Sequence, residues 1–129
     1  KSKLYLSTCH ADIRNIFNTV IKFRDCTIIE GHRSEERQNE AFRTGRSELE
    51  WPKSNHNSQP SRAVDAAPYF VGRVPHIDWN DRDAFILFAG EVMGVAGRMK
   101  IKLRWGGDWK RTGRPSSGDL VHFELLKEV

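Results

Sequence analysis

Apolar and polar positions in the first part of the chain alternate with two different periods. Apolar side chains recur at helical spacing over residues 11–23, which predicts a helix with one buried face. Residues 26–29 form a short β-prone run. Residues 34–44 predict a second helix, because Ser34 can cap its N-terminus and Gly45 stands just past its end.

A long polar segment, residues 45–62, separates this part from a short apolar strand at residues 63–67. The strongest helical pattern covers residues 80–99, where Asn80 can cap the helix and Asp83 resembles the acid of a capping box.

Short strands are expected again near the C-terminus, at residues 101–105 and 120–126, with a loop at 113–118 between them. Helices and short strands therefore interleave, with hairpin pairing near the end of the chain. The pattern predicts an α+β fold, in which a small, mainly antiparallel sheet is covered by helices.

Composition fits one compact, water-exposed domain. The 129 residues are 38% hydrophobic and 29% charged, and none of the apolar runs is long enough to cross a membrane. The net charge of +4 suits a polyanionic partner, but the basic residues are spread along the chain. We therefore expect no nucleic-acid binding and no stable membrane insertion. The two cysteines, Cys9 and Cys26, are expected to be free thiols.

Two polar residues interrupt apolar strands. Asp65 lies within AVDAA, and His122 lies within LVHFEL. Burying a carboxylate costs several kcal/mol unless it is paired or bound to a metal. His56, in the preceding loop, can supply a third ligand, and two imidazoles with one carboxylate would leave a coordination position open, as catalytic zinc sites do.

A hydrolytic metal site also needs a carboxylate that receives a proton without binding the metal. Asp119, three residues before His122, stands at the junction of loop and strand. Glu124 competes for the role, because alternate residues of a strand share a face and Glu124 therefore lies on the side of His122. Spacing alone leaves both open, and it also leaves open a structural role for the three candidate ligands.

The sequence motifs around these residues resemble those of a known protein family. SNHN at residues 54–57, with PSRAVDAAPY at 60–69, resembles the first metal-binding motif of the M15 zinc peptidases. LRWGGDW at 103–109 and DLVHFEL at 119–125 resemble the family's C-terminal half, and GHRS at 31–34 its upstream segment. The most similar subgroup is the phage endolysins that act as L-alanyl-D-glutamate peptidases. The segment between His56 and Asp65 is longer than in the compact form of the motif.

The resemblance implies residue roles and a fold. His56, Asp65 and His122 match the zinc ligands, Asp119 matches the catalytic acid and base, and Arg33 matches the arginine that steadies the substrate or the oxyanion. The implied fold is that of the D-Ala-D-Ala peptidases and hedgehog-type domains. Four further residues are candidates for the substrate cleft: Ser54, Gln38, Trp105 and Trp109.

The resemblance also implies a function. We expect a zinc-dependent endolysin that hydrolyses the L-Ala–D-Glu amide of peptidoglycan stem peptides and so lyses the wall. A monomeric single catalytic domain over residues 1–129, without a separate wall-binding domain, is expected to accumulate in the host bacterial cytoplasm and to reach the wall after release through the inner membrane.

Three other functions compete with this one. A D,D-dipeptidase or D,D-carboxypeptidase of the same fold would differ in pocket shape, which the sequence does not show. A catalytically silent, zinc-stabilised wall-binding module would need the three ligands but not Asp119. A basic nucleic-acid binder would show clustered cations with interleaved aromatics, and no such cluster is visible.

Overall fold

The computed structural model describes residues 1–116 and 118–127, so residue 117 of the predicted loop and the last two residues of the predicted domain lie outside the described residues. Within these residues, four α-helices precede or connect the strands: α1 (Ser2–Ser7), α2 (Ala11–Val20), α3 (Glu35–Arg43) and α4 (Arg82–Arg98). None of the described helices is both long enough and apolar enough to cross a membrane.

Four strands form one sheet: β1 (Cys26–Glu30), β2 (Ala63–Pro68), β3 (Leu103–Trp105) and β4 (His122–Leu125). Their order is β1-β2-β4-β3, and every neighbouring pair is antiparallel. The predicted α+β class, with an antiparallel sheet and a C-terminal hairpin, is confirmed. The β2–β4 register places Asp65 directly opposite His122.

The period of two along the strands separates a core face from an open face. Val64 and Phe123 point into the core, where Phe123 meets Phe17 of α2 and Phe88 of α4 edge-to-face at ring distances of 5.8 and 6.2 Å. Because neighbouring residues alternate, Asp65 and His122 project from the opposite face. The helices thus cover one side of the sheet and leave the other side to the polar residues.

Most predicted elements occur with shorter ends. The helix predicted over 11–23 ends at Val20, and the two C-terminal strands cover 103–105 and 122–125. Asn80 was predicted as the cap of α4, but Asp81 takes this role, since its carboxylate accepts a hydrogen bond from the backbone N–H of Ala84 at 3.2 Å. Ser34 caps α3 as predicted, through Arg37 N–H. Helix α1 was not predicted.

The long loop between α3 and β2 contains one turn of 3-10 helix, Asn55–Asn57. After this turn the chain runs beside the junction of α1 and α2. Ser61 is fully buried there, where its N–H donates to the Thr8 carbonyl and its own carbonyl accepts from His10 N–H. Ser61, within the segment that separates His56 from Asp65, is therefore packed against the junction of the two helices.

Candidate metal centre

Three side chains from three different elements meet on the open face of the sheet. His56 comes from the 3-10 turn, Asp65 from β2 and His122 from the start of β4. His56 Nε2 lies 3.3 Å from both Asp65 Oδ1 and His122 Nδ1, and His122 Nδ1 lies 3.1 Å from Asp65 Oδ1. The structure thus brings the three predicted ligands together. Among the described residues they are the one group of His, Cys, Asp and Glu side chains with this geometry.

The 3-10 turn is fixed by its own side chains. Ser54 Oγ accepts from the backbone N–H of His56 at 3.1 Å, and Asn57 Oδ1 accepts from the backbone N–H of Ser54 at 3.1 Å. This reciprocal arrangement is a capping box. It holds the buried His56 ring in one place within an otherwise irregular segment.

Each imidazole uses its second nitrogen to hold its orientation. His56 Nδ1–H donates to the Gly31 carbonyl at 2.8 Å, because a carbonyl oxygen can only accept. His122 Nε2–H donates to Glu124 Oε1 at 2.8 Å. Both rings therefore turn their other nitrogen, His56 Nε2 and His122 Nδ1, toward Asp65, and hydrogen bonds of this kind orient histidine ligands at metal sites.

The electrostatics of the cluster favour a cation. Burial by itself would raise the pKa of Asp65, but hydrogen bonds from His122 and His56 outweigh it and hold that pKa well below its usual range. Burial lowers the pKa of His122, yet hydrogen bonds to Asp65 and Glu124 raise it to about 9. A site that keeps a carboxylate ionised and draws positive charge onto an adjacent imidazole fits a divalent metal ion. The donor set, two imidazole nitrogens and one carboxylate oxygen, is one that Zn²⁺ accepts.

Glu124 and Arg104 extend this cluster. Arg104 and Glu124 are direct partners in the β3–β4 register, and Arg104 Nη2 donates to Glu124 Oε2 at 2.6 Å. Burial raises the pKa of Glu124, but the bonds from His122 and Arg104 lower it to about 2. Since both of its oxygens are engaged, Glu124 orients His122 and is not a free proton acceptor. The sequence placed Glu124 on the correct face but did not reveal Arg104.

Asp119 lines the same cavity as the three candidate ligands, a cleft of about 610 Å³. Burial and the negative charge of Asp65 raise the pKa of Asp119. Two backbone bonds fix its position, from Asp119 N–H to the Gly106 carbonyl at 3.0 Å and from His122 N–H to the Asp119 carbonyl at 3.2 Å. Of the two carboxylates that the sequence left open, Asp119 has the position that a proton acceptor needs.

Arg33 also lines the cleft, and its guanidinium is largely buried. Arg33 Nη2 lies 3.9 Å from Asp65 Oδ2, Nη1 donates to Gln38 Oε1 at 3.0 Å, and Nε reaches Glu30 at 3.4 Å. A surface role for Arg33 is therefore excluded. Its backbone N–H donates to the His56 carbonyl at 2.8 Å, so the 3-10 turn positions it as well.

Two of the four predicted cleft residues lie elsewhere. Gln38 is fully buried, and its amide donates to Leu49 O and Ser47 Oγ while its oxygen accepts from Arg33 and Asn57, so it supports Arg33 from behind. Trp105 belongs to the core, and its indole N–H donates to the Leu120 carbonyl at 2.8 Å. Both predictions of a cleft role were wrong, because tertiary partners bury these side chains.

The other two predicted cleft residues do line the cavity. Ser54 reaches it from the 3-10 turn that its hydroxyl caps. Trp109 is 38% exposed, its ring lies 5.3 Å from that of His122, and Arg104 stacks over it at 5.3 Å. An aromatic wall beside one ligand is thus present, formed by Trp109 alone of the two tryptophans.

Comparisons with known proteins agree with this geometry. A family model for phage L-alanyl-D-glutamate peptidases matches residues 1–126. The L-alanyl-D-glutamate peptidase of Escherichia phage T5 is 31% identical over 134 residues, which cover 97% of this chain and 94% of that protein. Among solved structures, the Serratia marcescens L-Ala D-Glu endopeptidase ChiX matches with a TM-score of 0.78 and 28% identity, over 97% of this chain and 86% of that one. The structural match confirms the peptidase fold that the sequence motifs implied.

Proposed function

The chain belongs to the family of phage L-alanyl-D-glutamate peptidases, and we propose that it is a zinc-dependent peptidoglycan peptidase that hydrolyses the amide between L-Ala and D-Glu in stem peptides. The observation that carries the proposal is the convergence of His56, Asp65 and His122 within 3.3 Å of one another in a cleft that Asp119 also lines.

Zinc held by these three side chains would supply a Lewis acid that polarises a carbonyl and makes water more acidic at neutral pH. Asp119 accepts the proton from the attacking water as the new C–O bond forms. It then gives that proton to the D-Glu nitrogen as the C–N bond breaks, so that the leaving group is a neutral amine. The raised pKa of its carboxyl supports this role, because an acid–base group works best with a pKa near the working pH.

Arg33 stabilises the negative charge that develops on the carbonyl oxygen. A guanidinium remains charged throughout and presents donors in a rigid fork. Gln38 and Glu30 hold two of its nitrogens, so its position is set before the substrate binds. Trp109 and Ser54 contribute the walls along which the stem peptide lies.

The test of Asp119 is its replacement in the zinc-loaded protein. We expect Asp119→Ala to lower the rate of peptidoglycan digestion by roughly 100-fold or more, which is the usual contribution of general acid–base catalysis, with zinc content unchanged. Asp83→Ala removes an exposed acid from the first turn of α4 and serves as the matched control. Full activity of Asp119→Ala with zinc bound would refute the proton-transfer role.

The bond that is cleaved can be read from the products. Digestion of purified peptidoglycan should create new N-terminal D-Glu, which end-group analysis detects. Free D-Ala or new D-Ala termini without D-Glu would instead identify a D,D-peptidase of the same fold.

We also propose that the protein acts as a monomer that accumulates in the host bacterial cytoplasm and reaches the wall after release through the inner membrane. The phage origin of the family supports this location. Fractionation of infected cells before lysis should find the protein in the cytoplasmic fraction, and sedimentation should give the mass of one chain. Recovery from the periplasm before lysis would contradict the proposed route.

A further inference from the structure

A second cavity, of about 590 Å³, shares none of its lining residues with the catalytic cleft. Four parts of the chain surround this cavity: the start of α2, the residue before β2, the segment between α4 and β3, and the end of β4. Its polar lining consists of His10, Asp12, Arg62, Lys100, Lys102 and Lys127. We call it the basic cavity.

The basic cavity is unbalanced in charge, whereas the catalytic cleft is not. Among the residues that the structure describes, four Lys and Arg side chains and one Asp line the basic cavity, which gives these side chains a net charge of +3 with His10 neutral. The catalytic cleft is lined by four Lys and Arg side chains and by four carboxylates, which leaves zero. The fold thus gathers several described cations at one place, although the basic residues are spread along the sequence.

The cations of the basic cavity also lack acidic partners within the part of the chain that the structure describes. In the catalytic cleft, Arg33 and Arg104 pair with carboxylates at 3.4 and 2.6 Å. In the basic cavity, by contrast, none of the four cations has a carboxylate oxygen within 4.0 Å among residues 1–116 and 118–127. The one acid of this lining, Asp12, lies with its Oδ2 3.9 Å from His10 Nδ1. Unpaired cations around a concave surface create a positive potential that attracts an anionic ligand.

The Arg62 side chain is held in place at the edge of the basic cavity. Its Nη2 donates to the Leu126 carbonyl at 3.1 Å, which anchors the guanidinium at the end of β4. Its Nε is buried and has no hydrogen-bond partner among residues 1–116 and 118–127. Buried donors are nearly always satisfied in folded proteins, so an unsatisfied guanidinium nitrogen beside a cavity indicates a missing acceptor.

We propose that the basic cavity binds carboxylate groups of peptidoglycan, and thereby holds a second part of the wall polymer while the catalytic cleft acts on a stem peptide. The identity of the polymer rests on the proposed function. Stem peptides carry free carboxylates, which Arg and Lys bind well. Arg62 precedes Asp65 by three residues, a path of roughly 10 Å along an extended chain. Two sites this close can engage one polymer together, which raises the effective concentration of substrate at the cleft.

The test compares two charge-matched double variants. Lys100→Gln with Lys102→Gln removes two cations of the basic cavity, and Lys3→Gln with Lys22→Gln removes two exposed cations elsewhere. Every protein also carries Asp119→Asn, so that the walls stay intact. Binding to purified peptidoglycan, freed of phosphate-bearing polymers, is measured by co-sedimentation at low and high salt. We expect the first variant to bind roughly 5- to 10-fold more weakly at low salt, since each exposed ion pair contributes modestly. The control should change less than twofold.

A second arm identifies the ligand group. Peptidoglycan whose carboxylates have been converted to amides should bind the parent protein as weakly as unmodified peptidoglycan binds the Lys100/Lys102 variant. Equal weakening by both double variants would show a general charge effect and overturn the proposal. Binding that survives amidation, or that requires phosphate-bearing polymers, would overturn the carboxylate assignment. Cleavage of a soluble stem peptide, measured with Asp119 intact, reports separately on the proposed function.

Discussion

At the scale of single residues, the orientation of His122 depends on two side chains beyond it. Glu124 accepts from His122 Nε2 and Arg104 donates to Glu124, so a chain of two charge-assisted hydrogen bonds leaves Nδ1 facing Asp65. Removal of such partners typically lowers metal affinity about 10- to 100-fold. The geometry therefore predicts that Arg104 supports the metal centre through Glu124.

A double-mutant cycle tests that prediction. Arg104→Met and Glu124→Gln should each weaken zinc affinity, and Arg104→Met should add little in the Glu124→Gln background, because its effect passes through Glu124. Competition with a zinc chelator measures each affinity without reference to activity. Arg24→Met is the matched control, since Arg24 pairs with Glu91 at 2.8 Å, away from the cleft, and is similarly exposed. Equal effects of the two arginine variants on zinc affinity would contradict the prediction that Arg104 supports the metal centre through Glu124.

A second residue-scale prediction concerns Cys9, a free thiol that is wholly buried. Burial raises the pKa of Cys9 from 9.0 to about 11. Between pH 9 and 11 the unfolded chain has released a proton that the folded protein keeps, so this thiol destabilises the fold as pH rises. The difference in unfolding free energy between the parent and Cys9→Ala should therefore shift in favour of the variant, by up to about 2 kcal/mol.

Urea unfolding at pH 8 and pH 10.5 measures that shift. Ile13→Val shortens a neighbouring core side chain without a titratable group, so its cost should be nearly the same at both pH values. A constant difference between the parent and Cys9→Ala over this range would show that the thiol ionises equally well in the folded protein.

At the scale of elements, two backbones cross closely where Asp119 enters the cleft. A Cβ atom on Gly106 would collide with the Asp119 carbonyl, and one on Gly118 would collide with the Gly106 carbonyl. Gly106 N–H also donates to the His122 carbonyl at 2.7 Å. The turn after β3 thus fixes both the backbone of Asp119 and the start of β4, and only glycine fits at these two positions.

We expect Gly106→Ala to displace Asp119 and to reduce peptidoglycan digestion at least tenfold, which is a modest part of what general acid–base catalysis contributes, while the three ligands still bind zinc. Gly90→Ala is the matched control, because Gly90 is exposed in α4 and no neighbouring atom lies within 4 Å of the place that its methyl group would take. That variant should stabilise the protein by up to about 1 kcal/mol. Activity assays and thermal unfolding of both variants check this. Normal activity of Gly106→Ala would show that the close crossing does not position Asp119.

The elements that the sequence predicted are those whose pattern is local. The helical spacing of apolar residues and the residues suited to helix ends indicated α2, α3 and α4. Polar residues within apolar strands indicated the candidate ligands Asp65 and His122. Helix α1, six residues long, is too short to show a period. Gln38 and Trp105 are buried and donate hydrogen bonds to the carbonyls of Leu49 and Leu120, which are distant in sequence. Burial of this kind leaves no local signal in the sequence, so the sequence predicts both residues in the cleft. The same holds for Arg104, whose role depends on its strand partner.

At the scale of the whole molecule, the fold distributes its charged side chains unequally between two cavities. Within the described residues, the cleft beside His56, Asp65 and His122 is charge-balanced and holds its arginines in ion pairs, whereas the basic cavity gathers cations that have no carboxylate partner. The overall charge was readable from the sequence, but this separation was not, since cations from distant segments assemble only in the folded chain. The single-domain organisation over residues 1–129 remains a prediction.

The dependence of wall lysis on zinc is measured by pairing the metal content of the protein with its lysis rate. The purified protein should contain about one zinc per chain, as a three-ligand catalytic site holds. Chelation should abolish lysis of peptidoglycan, and returning stoichiometric zinc should restore both metal content and rate. Lysis that continues undiminished after the metal has been removed would contradict the account.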